Sequence, residues 1–242
     1  MTTLKERPRE SLSRDAPADY KRVYLWHWPV RGMHWIAAVC VVTLIVTGFY
    51  IGEPYFMTSG SASDHFLMGR VRFIHFSAAG VLVATAILRV YWLFAGNRFE
   101  RWSALFPVRR EDWVNAWHVL RAYMFVKPQE APQYMGHNPI QQFAYTGLYL
   151  LATVQVLTGF YLYSLSSPGG LFFGAFGWVG SVLGGAQVAR LVHHVLTWFW
   201  LIFLPVHVYL TIRADVLHKE SRVNSIISGE RYVRADVDFV DD

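Results

Sequence analysis

Four long apolar runs dominate the pattern of hydrophobic and polar positions along the chain. Each approaches or exceeds the roughly 20 residues that a helix needs to cross a bilayer. The runs cover about 34–51, 73–95, 140–163 and 192–212, and their interiors hold no acidic residue. The first run follows a polar segment of over thirty residues, so we do not expect a cleavable signal peptide. The pattern predicts an all-α membrane protein with a bundle of four transmembrane helices.

The connection between the second and third runs contains a shorter amphipathic pattern. Over 111–125, helical spacing places Trp113, Trp117, Leu120 and Met124 on one face. This is typical of a short helix that lies in the membrane interface, although a soluble helix packed on a loop would give the same spacing.

The distribution of basic residues predicts the orientation of the bundle. Of the 22 Lys and Arg residues, eighteen lie in the first 33 residues, in the middle connection and in the tail after 212. Three lie in the other two connections, and the remaining one is Arg89. By the positive-inside rule, both termini and the middle connection are cytoplasmic. The expected division is a cytoplasmic segment 1–33, a transmembrane domain 34–212 and a cytoplasmic tail 213–242.

Composition fits a membrane protein and narrows its chemistry. The 242 residues are 54% hydrophobic and 16% charged, whereas soluble domains carry about 25% charged residues. The net charge of +5 is explained by topology and requires no nucleic acid. The chain has one cysteine, Cys40, which excludes an intrachain disulfide, an all-cysteine iron–sulfur cluster and C-x-x-C-H attachment of c-type haem.

Five of the ten histidines lie within or at the start of the apolar runs, where histidine is rare and suggests function, and four of them stand out as candidates. They are His34, His75, His193 and His207. At about 100° per residue, His193 lies within roughly 40° of His207 on one helix, whereas His194 lies about 140° away. The spacing therefore favours His193 over its neighbour.

Depth in the membrane pairs these histidines. With cytoplasmic termini, His75 and His193 lie near the outer face, and His34 and His207 lie near the inner face. Two bis-histidine sites at two depths are typical of a transmembrane electron path, with b-type haem ligated from both sides. The alternatives are histidines that only hydrogen-bond within the bundle, or two-histidine metal sites, which lack carboxylate neighbours.

A four-residue sequence, Thr-Gly-Phe-Tyr, occurs near the end of the first run, at 47–50, and of the third, at 158–161. Glycine allows a flat ring or another helix to approach the backbone closely. Helix–helix packing alone would also explain both glycines.

The chain resembles the b-type cytochrome subunit of membrane-bound nickel–iron uptake hydrogenases over about residues 23–232. The motifs that carry the resemblance are RGMHW at 31–35, MGRVRFIHF at 68–76, GHNP at 136–139, RLVHH at 190–194 and HVY at 207–209. Formate dehydrogenase membrane subunits have a similar layout.

The resemblance implies two haems b, with His34, His75, His193 and His207 at the family's ligand positions. It also implies a bacterial inner-membrane location, a hydrogenase of small and large subunits on the periplasmic side, and quinone as electron acceptor near the inner haem. Electron transfer from another periplasmic dehydrogenase is the first alternative. A haem-free transporter or channel is the second, although the spans lack its midplane charges.

The start of the third run is the candidate quinone site. His137, Asn138 and Gln141 lie at the predicted depth of the inner haem and can hydrogen-bond a quinone carbonyl. The alternative is helix capping, with Asn138 as N-cap and Pro139 at the first helical position.

Overall fold

The computed structural model describes residues 19–56, 59–61, 65–108, 110–124, 133–218, 220–235, 237 and 239–241. Its elements in chain order are β1 (Tyr20–Tyr24), α1 (Trp28–Gly52), α2 (Leu67–Ala95), α3 (Trp102–Leu105), α4 (Arg110–Met124), α5 (Pro139–Ser164), α6 (Leu171–Leu183), α7 (Ala186–His218), α8 (Arg222–Ser228) and β2 (Glu230–Arg234). The predicted all-α membrane class is confirmed, with a small two-stranded sheet in addition.

Four of these helices, α1, α2, α5 and α7, are long and apolar enough to cross a membrane. They contain the four predicted runs and extend beyond them, so α1 begins before residue 34 and α7 continues past residue 212. Large apolar side chains such as Val39, Ile87 and Phe94 are exposed on the bundle surface, where lipid tails would cover them. The chain is therefore a multi-pass membrane protein.

The two strands close one end of the bundle. β1 pairs antiparallel with β2, with Tyr20 opposite Arg234 and Tyr24 opposite Glu230. The Arg31 guanidinium and the Trp35 indole at the start of α1 donate to carbonyls of α8, which directly precedes β2. We call this end, which carries β1 and β2, the sheet end, and the opposite end the far end.

A buried carboxylate joins the loop after α2 to the loop before α1 at the sheet end. The Glu100 side chain is fully buried and accepts hydrogen bonds from Trp92 Nε1 at 2.9 Å, from the backbone N–H groups of His27 and Asn97, and from His27 Nδ1 at 3.0 Å. Burial alone would raise the pKa of Glu100, but these hydrogen bonds outweigh it and lower the pKa below the ordinary value of a glutamate. The carboxylate therefore stays ionised.

A second buried network fixes the segment that leads into α5. Arg231 pairs with Glu220 and donates to the carbonyls of Tyr134 and Met135, while the Asp241 carboxylate accepts from the N–H groups of Met135 and Gly136 at 2.6 and 2.8 Å. The C-terminal part of the chain thus holds the segment that begins the candidate quinone site.

Two shorter helices pack on α5. α4 confirms the predicted amphipathic helix, except that Phe125 lies outside the described residues, and the ring of Trp113 packs on Phe143 at 4.6 Å. At the far end, α6 packs against α5 and α7 through a cluster of Tyr161, Val179 and Ala189. The apolar connection between the third and fourth spans is therefore largely helical.

Candidate haem sites

At the far end, His75 lies near the start of α2 and His193 lies near the start of α7. Each imidazole lies against a threonine hydroxyl of another spanning helix, α1 for His75 and α5 for His193. Thr47 Oγ1 of α1 lies 2.8 Å from His75 Nδ1, and Thr158 Oγ1 of α5 lies 2.9 Å from His193 Nδ1. We call His75 and His193 the far-end pair.

The glycine that follows each threonine faces the same ring. A Cβ atom on Gly48 would lie 3.4 Å from His75 Cε1, and one on Gly159 would lie 3.1 Å from His193 Cε1. In both places, the Thr-Gly sequence therefore provides a hydroxyl beside an imidazole and, at the glycine, the space that the ring needs. The repeat was visible in the sequence, but its threonines were not recognised as histidine partners.

The threonine geometry fixes the tautomer of both rings. The Thr47 hydroxyl lies 2.6 Å from the Thr43 carbonyl oxygen, and the Thr158 hydroxyl lies 2.8 Å from that of Val154. A carbonyl can only accept, so each hydroxyl donates its hydrogen there and accepts from the ring. The proton of each imidazole is therefore on Nδ1, and Nε2 carries the lone pair.

Gln155 agrees with this assignment at His193. Its amide nitrogen, which can only donate, lies 3.3 Å from His193 Nε2 and 3.2 Å from the His193 carbonyl oxygen. Nε2 is thus an acceptor atom, as a metal ligand must be.

The sheet end brings His34 of α1 and His207 of α7 together, and we call them the sheet-end pair. Their ring centroids are 6.4 Å apart and their planes are inclined by 45°. In the part of the chain that is described, the buried Nδ1 of His34 makes no hydrogen bond. The ring of His207 stacks on Phe203, with centroids 5.2 Å apart.

His194 turns away from its neighbour's partners. It is exposed and packs edge-on against Phe49 of α1, with ring centroids 5.5 Å apart. A Cβ atom on Gly52, also in α1, would lie 3.5 Å from its Nδ1. His193 and His194 therefore point to different helices, α5 and α1.

The predicted quinone residues lie at the start of α5. Asn138 Oδ1 accepts from the Gln141 N–H, and Gln141 Oε1 accepts from the Asn138 N–H, both at 2.9 Å. This capping box, followed by Pro139, confirms the capping interpretation of the sequence. The capping box occupies the side-chain oxygens of Asn138 and Gln141. It leaves the N–H groups of their side-chain amides as donors to a ligand.

His137 lies between two aromatic rings, Trp26 at 5.0 Å and Tyr145 at 4.9 Å. Its Nδ1 is buried and makes no hydrogen bond with the described residues. Burial and, second, the positive charge of Arg89 lower the pKa of His137 to about 4. The ring is therefore neutral at physiological pH.

The histidine pairs suit a cofactor that brings most of its own ligands. Among the described residues, no group of three or more His, Cys, Asp or Glu side chains could hold a bare metal ion. Iron in haem is already held by the porphyrin and needs axial ligands only. A metal between two imidazoles, about 2 Å from each nitrogen, places the ring centroids roughly 6 Å apart, which the sheet-end pair matches at 6.4 Å.

Four apolar spanning helices that bring imidazoles together in pairs are the architecture of a membrane cytochrome of the b type. The prokaryotic cytochrome b561 family matches residues 25–229, and the chain belongs to that family. This confirms the resemblance seen in the sequence and makes haem b the cofactor of this protein.

Curated relatives are similar over nearly their whole length. A probable Ni/Fe-hydrogenase B-type cytochrome subunit of Bradyrhizobium diazoefficiens is 38% identical over 88% of this chain and 87% of its own. That of Rhizobium leguminosarum bv. viciae is 38% identical over 92% and 95%. The probable Ni/Fe-hydrogenase 1 B-type cytochrome subunit of Escherichia coli is 34% identical over 86% and 90%.

Proposed function

We propose that this chain is the membrane subunit that carries electrons from a nickel–iron hydrogenase to membrane quinone. It binds two haems b, one between His75 and His193 and the other between His34 and His207. The observation that carries the proposal is that two imidazoles lie at each end of one four-helix bundle. The names of its curated relatives, which are hydrogenase cytochrome subunits, support the choice of electron donor.

Bound haem supplies one-electron redox chemistry, and the chain supplies the axial nitrogens and their orientation. At the far end, Thr47 and Thr158 hold the two rings with Nε2 as the lone-pair atom. At the sheet end, Phe203 supports the His207 ring.

The orientation follows from the distribution of basic residues. Both terminal segments and the middle connection hold most of the Lys and Arg residues in the sequence. Their described parts lie at the sheet end, so this end faces the cytoplasm of a bacterial inner membrane. The division into 1–33, 34–212 and 213–242 is proposed on the same basis. The far end then faces the periplasm, where the hydrogenase small and large subunits dock on the connections 53–72 and 164–191, the second of which contains α6.

Quinone binds at the sheet end, near the start of α5. His137 is a neutral imidazole whose buried Nδ1 has no hydrogen-bond partner in the described part of the chain, so it can donate a hydrogen bond to a quinone oxygen. The side-chain amide N–H groups of Asn138 and Gln141 are the other donors, since the capping box uses only the oxygens of these side chains.

The test measures haem and electron transfer in the same membranes. We expect two haems b per chain in a reduced-minus-oxidised spectrum, hydrogen-dependent reduction of both, and hydrogen-to-quinone turnover. One haem per chain would contradict the two-haem arrangement. Reduction by formate but not by hydrogen would replace the hydrogenase with another dehydrogenase.

Crosslinking tests the docking side. Cysteines introduced in 164–191 should crosslink to the hydrogenase small subunit, and cysteines in the middle connection should not. The reverse result would invert both the docking face and the orientation.

A further inference from the structure

We propose that Thr47 and Thr158 are positioning residues that lower the midpoint potential of the far-end haem by accepting a hydrogen bond from each axial histidine. The proposal deepens the function above and rests on it, because it needs a haem between His75 and His193. Both contacts are short, at 2.8 and 2.9 Å, and they come from different helices.

The direction of the effect follows from the tautomer. Each threonine donates its hydroxyl hydrogen to a backbone carbonyl one turn earlier, so the oxygen can only accept from Nδ1–H. An acceptor at Nδ1 makes the opposite nitrogen of the imidazole more basic. A more basic axial ligand favours ferric over ferrous iron, because the ferric ion carries the higher charge. Two such ligands on one iron act in the same direction.

The sheet-end pair lacks this arrangement at His34, whose buried Nδ1 makes no hydrogen bond with the described residues. The threonines thus contribute a difference in potential between the two ends. Its sign favours electron transfer from the far end, where the donor docks, toward the sheet end, where quinone is reduced.

Helix packing alone does not account for the pattern. Thr85 makes the same hydroxyl bond to the carbonyl four residues earlier, at 2.8 Å, and is as buried as Thr47. Among the described residues it makes no hydrogen bond to a histidine, so the bond to the backbone does not require a ring nearby. At Thr47 and Thr158 the ring is admitted by the glycine that follows.

The experiment is a redox titration of both haems in the intact complex, followed by optical absorption. Electron paramagnetic resonance of the same samples gives the g-values of the low-spin ferric haems. Thr47→Val and Thr158→Val remove the acceptor and keep the side-chain shape, whereas Thr47→Ser and Thr158→Ser keep the acceptor. Thr85→Val is the matched control, because it removes the same bond to the backbone at a threonine that hydrogen-bonds to no histidine in the described part of the chain.

We expect each valine variant to raise the ratio of reduced to oxidised far-end haem about tenfold at a fixed potential, which is about 59 mV for one electron. The double variant should shift further. The serine variants and Thr85→Val should titrate as the wild type, and the sheet-end haem should not move. Loss of the far-end haem in the valine variants, with retention in the serine variants, would also support a positioning role.

Unchanged potentials and g-values in the double valine variant, with both haems bound, would overturn the inference and leave the proposed function intact. Equal loss of haem in the valine and serine variants would also overturn it, because the acceptor is present in serine. A wild-type complex without a haem that depends on His75 and His193 would instead contradict the proposed function.

Discussion

The two ends of the bundle hold their histidines in different ways. At the far end, each ring has a hydroxyl acceptor and a glycine from a neighbouring helix, and the same short sequence supplies both twice. At the sheet end, His207 stacks on an aromatic ring, and the Nδ1 of His34 has no hydrogen-bond partner among the described residues. The surrounding framework there is made of long-range contacts between buried charges.

The two ends differ in whether neighbouring or distant residues of the chain hold the histidines in place. The far end is determined by residues adjacent in sequence within membrane helices. The sheet end depends on Glu100, Glu220 and Arg231, which join segments far apart in the chain. Among the described residues, the buried acidic side chains lie at the sheet end, so we expect acid to act there first.

The largest effect is expected when a member of either pair is removed. His75→Ala and His193→Ala should each abolish the far-end haem, and His34→Ala and His207→Ala should each abolish the sheet-end haem, because a bis-histidine site needs both axial nitrogens. Potentiometric titration of each variant identifies the missing haem.

His194→Ala is the control for these variants, since its ring packs on α1 and faces neither pair. Loss of different haems from the His75 and His193 variants would break the comparison between the two ends.

The glycines test how tightly the far end is packed. A Cβ at Gly159 would approach His193 Cε1 to 3.1 Å, closer than ordinary van der Waals contact, whereas at Gly48 the distance is 3.4 Å. Overpacking typically costs about 1–3 kcal/mol, so Gly159→Ala should release the far-end haem more readily than Gly48→Ala. Haem retention after mild heating in detergent measures this.

Gly147→Ala is the matched control on α5, because a Cβ there would meet no atom of the described residues within 4 Å. It should leave haem retention unchanged or improve thermal stability by up to about 1 kcal/mol. Equal haem loss from all three alanine variants would show that the imidazole is not the constraint.

Glu100 tests the charged framework of the sheet end. Glu100→Gln leaves several buried donors poorly satisfied, at a cost of about 1–3 kcal/mol in the free energy of unfolding. The pKa of Glu100 is lowered in the folded state, so its stabilisation is present above the ordinary carboxyl pKa and is lost as the pH falls through the folded-state value. The difference in thermal unfolding temperature between the wild type and Glu100→Gln should therefore become smaller at acid pH.

Glu230→Gln is the control, since its ion pair with Arg22, at 3.5 Å, is solvent-exposed and worth little. A difference that becomes larger at acid pH would refute the assignment of Glu100 as an ionised buried group. Selective loss of the far-end haem in Glu100→Gln would contradict the claim that the far end is held independently of the buried charges at the sheet end.

The sequence was sufficient for the features that depend on local pattern. The four spans, the amphipathic α4 and the cap at Asn138 each follow from hydrophobic periodicity or a short capping signal, and each is confirmed. Helix periodicity also separated His193 from His194, which do point to different helices. The ligand roles of the histidines and the two haems stay predictions.

The features that the sequence did not predict depend on contacts between distant segments of the chain. Tyr20–Tyr24 and Glu230–Arg234 pair across almost the whole chain, and strands of five residues carry too little pattern to identify. The burial of Glu100 was hidden because its four donors come from two separate loops and a helix end. Thr47 and Thr158 were hidden because threonine in a membrane helix ordinarily satisfies itself on its own backbone.

The smallest expected effect, on stability, separates capping from quinone binding at Asn138. Its Oδ1 caps α5, and its side-chain amide N–H groups take no part in the capping box. Asn138→Asp and Asn138→Ser therefore keep the cap and remove only the side-chain amide donor. Asn138→Ala removes both and should cost about 0.5–2 kcal/mol in helix stability. If the amide serves quinone, all three variants keep both haems and hydrogen oxidation with an artificial dye but lose most hydrogen-to-quinone turnover. Wild-type turnover in Asn138→Ser would mean that this residue acts as a cap alone and that the quinone contacts belong to other groups at the sheet end.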